Sequence, residues 1–157
     1  MTKEILLTQG KVTLVDDENF EFLNQWKWYH HQGYACRALH RINHKQPHIF
    51  MHRVIINTPL GMETDHINQN RLDNRKENLR VCTGTQNVHN KKIDSLNTSG
   101  YKGVSWHKYV KKWVAQIGIN KTRKHIGYFN TAEDAARAYD ELAKIHYGEF
   151  ANLNFPG

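Results

Sequence analysis

Cysteine is scarce in this chain. Its 157 residues include only Cys36 and Cys82, and neither stands in a CxxC pair. A zinc site built from four cysteines, or from paired cysteines and histidines, is therefore unsupported, and no structural zinc is expected. Both cysteines lie in strand-like contexts and are expected to be small core residues. No disulfide framework is implied, which suits a reducing compartment.

Long apolar runs are also missing. None is long enough to cross a membrane, and the chain shows no secretory leader, so we expect no membrane partner. Apolar residues make up 39% of the chain, slightly less than is usual for soluble proteins. Two small domains with thin cores therefore fit this composition better than one thick globule.

Acidic residues are absent from one long segment. Between Ser95 and Asn130 the chain contains no aspartate and no glutamate. The whole chain carries a formal net charge of +7, with 11 histidines in addition. A basic surplus suits a polyanionic partner, usually nucleic acid, although a merely soluble basic protein would have the same balance. The cations of the segment are Lys102, Lys108, Lys111, Lys112, Lys121, Arg123 and Lys124.

The chain divides near residue 95, because residues 91–100 are polar and offer little to a core. We predict a first domain over residues 1–92, a linker over 93–99 and a second domain over 100–157. In the first domain, periodicity predicts paired strands and short helices, then a strand, a polar loop, a strand and a helix. The predicted strands are 5–7, 12–15, 26–29, 33–38, 62–67 and 79–83, and the predicted helices begin in the acidic run of residues 16–18, at Phe50 and at a cap on Thr83 or Thr85.

The second domain has a simpler pattern. Alternation predicts three strands over residues 101–107, 112–119 and 123–129. A helix with one small apolar face then follows, capped by Thr131 or Asn130 and ended by Gly148. The fold class predicted for the whole chain is therefore α+β.

Four polar residues of the first domain are expected to carry chemistry. Asp65 and His66 end one strand and Asn87 lies on the following helix, and a hairpin followed by a helix can bring these ends together. A neutral histidine accepts a proton near neutral pH, so His66 would activate water for phosphodiester hydrolysis. Asn78 would orient the imidazole by a hydrogen bond. Asp–His pairs also occur by chance, so this interpretation depends on the whole set.

Phosphodiester hydrolysis also needs a cation on the phosphate. Asp65 and the amide oxygen of Asn87 are oxygen ligands that would hold a divalent ion and offset charge on the departing oxygen. A small number of protein ligands leaves positions open to water and phosphate, which suits Mg²⁺ or another divalent ion such as Mn²⁺.

Several runs of this half resemble the HNH family of homing and phage endonucleases. They are residues 51–53 (MHR), 64–70 (TDHINQN), 72–75 (LDNR), 77–80 (ENLR), 82–83 (CT) and 86–87 (QN). The resemblance spans roughly residues 5–91 and implies a ββα-metal (His-Me finger) core without structural zinc. It implies Asp65 and Asn87 as metal ligands, His66 as general base and Asn78 as its orienting partner.

Other histidines leave alternatives open. Many HNH proteins place a histidine ligand in the third element, so His89 is an alternate to Asn87. His52 is expected to be structural or a phosphate contact. The remaining histidines of this half have no partner pattern and are expected at the surface or near DNA; they are His30, His31, His40, His44 and His48.

The second half resembles the plant Apetala/ethylene-response-factor (AP2/ERF) domain from about Ser99 onward. The matching runs are residues 101–104 (YKGV), 112–117 (KWVAQI), 126–129 (IGYF), 131–140 (TAEDAARAYD) and 153–156 (LNFP). The resemblance implies a three-stranded antiparallel sheet packed on one helix, with Trp113, Phe129 and Tyr139 in the core. Its other face would bind double-stranded DNA.

This chain differs from the AP2/ERF family at several of the positions that face DNA in that family. Ser105 and Gly118 stand where arginines are usual, and Gln116 stands where glutamate is usual, so the plant base preference does not transfer. The residues expected to contact DNA are Lys102, Ser105, His107, Tyr109, Gln116, Gly118, Arg123 and His125.

The two resemblances together predict a metal-dependent, sequence-directed DNA endonuclease of the homing or phage type. It would nick or cut both strands, with a monomer favoured, in the cytoplasm of a bacterial or phage-infected cell. One alternative is an AP2/ERF-type transcription regulator whose HNH half is not catalytic. Another is an RNA-directed nuclease or RNA-binding module, although no aromatic platform of the common RNA-binding folds is visible.

Overall fold

The computed structural model describes residues 1–41, 44 and 46–156. It is an α+β structure of small antiparallel sheets with few helices, as predicted. The chain forms two compact units, Met1–Asn87 and Val88–Gly157. The finer boundaries at residues 92 and 99 remain a prediction, and residue 157, the end of the predicted second domain, lies outside the described residues. Within the described ranges, no helix has the length and apolar character needed to cross a membrane.

Within the described residues, the first unit contains three small sheets, two short α-helices and a 3-10 helix, and a third α-helix begins in it and ends in the second unit. Strands β1 and β2 form one hairpin, β3, β4 and β5 form a three-stranded sheet, and β6 and β7 form a second hairpin. The elements are β1 Thr2–Leu6, β2 Val12–Asp16, α1 Asp17–Leu23, β3 Tyr29–His31, β4 Tyr34–Ala38, β5 His48–Phe50, α2 Met51–Ile55, β6 Glu63–His66, a 3-10 helix Lys76–Asn78, β7 Leu79–Cys82 and α3 Gly84–His89.

The strand predicted over residues 26–29 begins later than expected, at Tyr29. The reason is Trp28, which is fully buried and whose indole Nε1 donates to the carbonyl oxygen of Leu23 at 2.8 Å. That bond satisfies a carbonyl at the end of α1, so this stretch packs beneath the helix instead of pairing in a sheet. Strand β5 was not predicted.

Strand β2 holds the asparagine-rich loop of residues 68–75 in place. The backbone nitrogen of Leu14 donates to the carbonyl of Leu72, and its carbonyl accepts from the nitrogen of Asn74, both at 2.8 Å. Inside the loop, the Oδ1 of Asn68 accepts from the nitrogen of Asn70, a local turn typical of asparagine. The loop is therefore structured, as predicted, and the 3-10 helix Lys76–Asn78 joins it to β7.

The second unit is a three-stranded sheet covered by one helix. Its elements are β8 Val104–His107, β9 Lys112–Ile119, β10 Thr122–Phe129 and α4 Ala132–Tyr147, with a 3-10 helix Gly148–Phe150, and the sheet order is β10-β9-β8. Thr131 caps α4, because its side chain accepts from the nitrogen of Asp134 at 3.1 Å. The chain turns at Gly148, where φ is +55°.

The core of this unit lies between the sheet and α4. Trp113 and Phe129 pack on the buried cluster, and Tyr139 is buried, so their core assignment is confirmed. Gly103 has a φ of +77°, and a Cβ there would lie 2.1 Å from the Tyr139 ring. Only glycine therefore lets the ring pack against the start of β8.

Candidate active site and DNA interface

His66 stands at the end of β6, and a chain of hydrogen bonds fixes its tautomer. The Thr13 hydroxyl donates to the carbonyl of Leu72 at 2.8 Å, so its oxygen accepts from the Nδ2 of Asn74, 2.7 Å away. The amide of Asn74 is thereby oriented with Oδ1 toward His66 Nε2, at 3.1 Å. The imidazole must donate through Nε2 to this acceptor, and in the neutral ring Nδ1 then has the lone pair.

The surroundings of His66 keep its imidazole neutral. The residue is only 5% exposed, and burial lowers the pKa of His66, while the bond to Asn74 and the charge of Asp65 act in the opposite direction. A neutral imidazole near pH 7 is the form that accepts a proton from water. The site therefore keeps His66 in the neutral form that can act as a general base.

A second buried imidazole, that of His52, lies beside the first. The ring centroids of His52 and His66 are 5.1 Å apart with the rings nearly perpendicular. Burial, together with the neighbouring His66, Arg53 and Arg71, lowers the pKa of His52 to about 3. Its Nδ1 is buried and has no hydrogen-bond partner among the described residues. Of the two roles expected for His52, this burial favours the structural one.

The amide of Asn78 is directed into the asparagine-rich loop. Its Oδ1 accepts from the backbone nitrogen of Asn68 at 2.9 Å, and its Nδ2 donates to the carbonyl of Asp73 at 2.7 Å. The 3-10 helix that Asn78 ends directs its amide back into the asparagine-rich loop. Asn74 is thus the residue whose amide oxygen meets the His66 imidazole, Asn78 fastens the loop, and the orienting role of Asn78 stays a prediction.

Asp65 is almost fully buried and is paired with Arg80. The β6–β7 register places the two residues directly opposite each other. Both Nε and Nη2 of Arg80 donate to Oδ2 of Asp65, at 2.9 and 2.7 Å. A guanidinium bond of this kind offsets much of the cost of burying the carboxylate. Arg80, which the sequence did not single out, therefore holds the predicted metal ligand.

Asn87 reaches the same region from α3. The helix begins with a reciprocal cap, in which the nitrogen of Gln86 donates to Thr83 Oγ1 at 3.3 Å and the nitrogen of Thr83 donates to Gln86 Oε1 at 2.8 Å. The Nδ2 of Asn87 donates to Oε2 of Glu63 at 2.6 Å. Glu63 and Asp65 are two residues apart on β6 and so share one face of the strand. Glu63 thus contacts one predicted ligand, Asn87, and lies on the strand of the other.

The donors gathered here are all oxygen atoms. In the part of the chain that the structure describes, no three histidine, cysteine, aspartate or glutamate side chains form a metal-binding group. The predicted ligands are instead the carboxylate of Asp65 on β6 and the amide oxygen of Asn87 on α3, and such hard donors fit Mg²⁺ or Mn²⁺. His89, the alternate ligand, lies in the second unit, where its ring stacks on Tyr147 with centroids 3.6 Å apart.

Most of the predicted DNA contacts share one face of the second unit's sheet. The register pairs His125 with Gln116 and Arg123 with Gly118, on the face opposite to the one where Ala115 packs against α4. A polar, cationic sheet face can contact phosphates and base edges. The predicted residues on this face, called the outer sheet face below, are Ser105, His107, Gln116, Gly118, Arg123 and His125.

The outer sheet face also contains an aromatic residue that sequence reasoning missed. Tyr128 lies there with its ring centroid 4.6 Å from that of His125 and 5.4 Å from that of His107. Its alternation with the core residue Phe129 was the signal that could have found it. Tyr109, which was predicted, is 95% exposed between β8 and β9.

Lys102, another predicted DNA contact, bonds to backbone groups of its own unit. Its Nζ donates to the carbonyl oxygens of His89 and of Lys91, the latter at 2.9 Å. Burial lowers the pKa of Lys102 to about 8. The amine therefore satisfies two backbone carbonyls of the same unit, and its contact with DNA stays a prediction.

Comparison with known protein families agrees with this division. The HNH endonuclease pattern matches residues 50–89, which include Asp65, His66, Asn78 and Asn87. The AP2 domain pattern matches residues 99–148, which include the sheet and α4. No solved structure matches the chain significantly.

Individual relatives cover the chain to different extents. An uncharacterized HNH endonuclease of Acanthamoeba polyphaga mimivirus is 34% identical over 95% of this chain and 79% of its own length. Protein 3.8 of an Escherichia phage is 32% identical over 60% of this chain and 78% of its own length. The AP2-like ethylene-responsive transcription factor ANT of Arabidopsis thaliana is 28% identical over 81% of this chain, but the chain spans only 24% of that factor.

Proposed function

The chain belongs to the HNH endonuclease family and has an AP2 domain, and we propose that it is a divalent-metal-dependent endonuclease acting on double-stranded DNA. One observation above all supports this proposal. A neutral, buried histidine is held in a single tautomer by Asn74 and Thr13, on the strand that also bears the predicted ligand Asp65.

The residues divide the work of hydrolysis. His66, through Nδ1, takes the proton from the attacking water, and Asn74 holds the ring by accepting from Nε2. Asp65 and Asn87 would hold the ion, with Mg²⁺ as the expected metal and Mn²⁺ as a substitute. When bound, the ion supplies positive charge to the phosphate and to the departing 3′ oxygen. Asn78 holds the asparagine-rich loop in place through its bonds to the backbone of Asn68 and Asp73.

The second unit would supply affinity and sequence choice. Its outer sheet face presents Arg123, His125 and Gln116 together. Cations of this kind bind phosphates, and amide and imidazole groups can read base edges. Because both units belong to one chain, binding by the sheet raises the effective concentration of DNA at the HNH unit. We therefore propose sequence-directed cleavage by a monomer.

The biological setting follows from the relatives. Two of them come from a virus and a phage, so we propose a homing or phage-type role inside an infected cell. Whether one strand or both are cut depends on whether successive nicks fall close together.

The test is cleavage of supercoiled plasmid containing candidate target DNA. Its arms are wild type with Mg²⁺, wild type with EDTA, and His66→Ala with Mg²⁺. A matched control is His40→Ala, which removes an exposed histidine of the same unit. In Mg²⁺, we expect wild type and His40→Ala to give nicked or linear product with 5′-phosphate ends. We expect no product from wild type in EDTA or from His66→Ala in Mg²⁺.

Two results would count against the proposal. Equal product formation in EDTA would show that cleavage needs no divalent metal. Full activity of His66→Ala would show that His66 is not the general base. Retained DNA binding in a gel shift, with no cleavage of plasmid or of the native locus, would favour the alternative, a DNA-binding regulator with a non-catalytic HNH half. The AP2 match is the observation behind that alternative.

A further inference from the structure

Glu63 has no part in the mechanism described above, yet it contacts a predicted ligand. It is the first residue of β6, and its Oε2 accepts from the Nδ2 of Asn87 at 2.6 Å. We propose that Glu63 is a positioning residue of the metal centre, which fixes the amide of Asn87 so that Oδ1 is presented to the ion. This inference rests on the proposed metal-dependent function.

The chemistry of the contact allows only one orientation of the amide. An ionised carboxylate has acceptors and no donor, so it must face the NH₂ group of Asn87. The amide oxygen is then directed away from Glu63 and is available to a cation. A charge-assisted bond of this length is stronger than a bond between neutral groups. An unrestrained side-chain amide would instead sample both orientations, and only one of them can bind a metal ion.

The start of α3 leaves room for this carboxylate. A Cβ at residue 84 would lie 3.0 Å from Oε1 of Glu63 and 3.6 Å from its Cδ. The carboxylate therefore packs close to the backbone at Gly84, and a methyl group there would push it aside. The strand end is also fixed, because the thiol of Cys82 donates to the carbonyl of Glu63 at 3.6 Å.

Glu63 also links the two halves of the donor set. It lies on the same strand face as Asp65, while its side chain bonds to α3. Groups that orient metal ligands in this way commonly change metal affinity 10- to 100-fold when they are removed. The expected consequence of losing Glu63 is therefore weaker metal binding, with DNA binding by the second unit unchanged.

Titration of the full-length protein with Mn²⁺, followed by electron paramagnetic resonance of the free ion, tests this directly. The variants are Glu63→Gln, Glu63→Ala and Gly84→Ala, and the matched control is Glu21→Gln, which changes an exposed glutamate of α1. We expect roughly 10-fold weaker Mn²⁺ binding in the two Glu63 variants, a smaller loss in Gly84→Ala, and no change in the control. We also expect saturating Mn²⁺ to restore most of the plasmid cleavage of Glu63→Gln, because its ligands are intact.

Three outcomes would overturn the proposal. If the Glu63 variants bind Mn²⁺ and cleave as wild type does, the positioning role is wrong while the proposed function stands. If wild type itself neither binds Mn²⁺ nor cleaves, the proposed function fails and the inference fails with it. If the Glu63 variants bind Mn²⁺ more weakly but also melt at a clearly lower temperature than wild type in EDTA, Glu63 stabilises the fold and does not position the ligand.

Discussion

At the scale of single residues, His52 makes the stability of the fold depend on pH. Burial lowers the pKa of His52 to about 3, whereas an unfolded histidine has a pKa near 6.5. Between these values the unfolded chain binds a proton that the folded chain does not. The free energy of unfolding is therefore highest above about pH 6.5 and falls as the pH drops toward 3, by at most about 1.4 kcal/mol per pH unit from this group.

Urea unfolding at pH 7, 6, 5 and 4 measures this dependence. A His52→Leu variant should show a flatter decline than wild type, because it has no imidazole to protonate at that position. The matched control is His146→Leu, which replaces an exposed histidine of α4 and should leave the slope as it is. An unchanged slope in His52→Leu would show that other groups cause the acid sensitivity; His66, with a pKa also lowered by burial, is the first of these.

Asn74 and Asn78 show where sequence reasoning stopped at this scale. The runs that contain them pointed to the HNH family and to a structured loop, and both expectations hold. Which asparagine meets the imidazole depends on side-chain directions inside a loop whose turns are set by contacts with β2. Those contacts join residues some 60 positions apart, such as Thr13 and Asn74, and no local pattern encodes them.

At the scale of elements, α3 depends on its cap because it is short. Thr83 and Gln86 satisfy two backbone groups at its start, and Asn87 lies on its second turn. We expect Thr83→Ala to cost about 1 kcal/mol of unfolding free energy and to fray the helix. The frayed helix should then bind Mn²⁺ more weakly than wild type does.

A matched variant in the other unit separates capping from metal binding. Thr131→Ala removes the cap of α4 and should cost a similar free energy in urea unfolding, yet leave Mn²⁺ affinity at the wild-type value. Equal Mn²⁺ affinities in Thr83→Ala and wild type would mean that the first turn of α3 does not position Asn87.

Elements with strong alternation were predicted best. Strands β9 and β10 match the predicted ranges within one residue, because apolar residues facing α4 alternate with polar residues of the outer sheet face. The stretch before β3 was predicted poorly, since two tryptophans with strand propensity pack beneath α1 instead. Lys102 was assigned to DNA from the AP2/ERF resemblance, and no local pattern showed that its amine also meets backbone carbonyls that only the folded chain brings near. Local pattern identifies an element, and tertiary contact decides what its side chains do.

At the scale of the whole molecule, the formal charge of +7 has different consequences on different surfaces. Arg123 lies on the outer sheet face, whereas Lys144 belongs to α4, which covers the opposite face of the same sheet. If the outer sheet face binds DNA, Arg123 releases counterions from phosphates on binding and Lys144 does not. The plot of log affinity against log salt concentration distinguishes the two, because each phosphate contact contributes about 0.9 to its slope.

We therefore expect Arg123→Ala to weaken binding of a duplex of fixed sequence and to reduce the salt slope by about 1. Lys144→Ala should leave both quantities at their wild-type values. Fluorescence anisotropy in EDTA, over a series of salt concentrations, measures binding without cleavage. Equal slopes for Arg123→Ala and wild type would mean that DNA approaches the second unit from another side. Weakened binding by His66→Ala in the same assay would assign part of the affinity to the HNH unit, because that variant leaves the sheet intact.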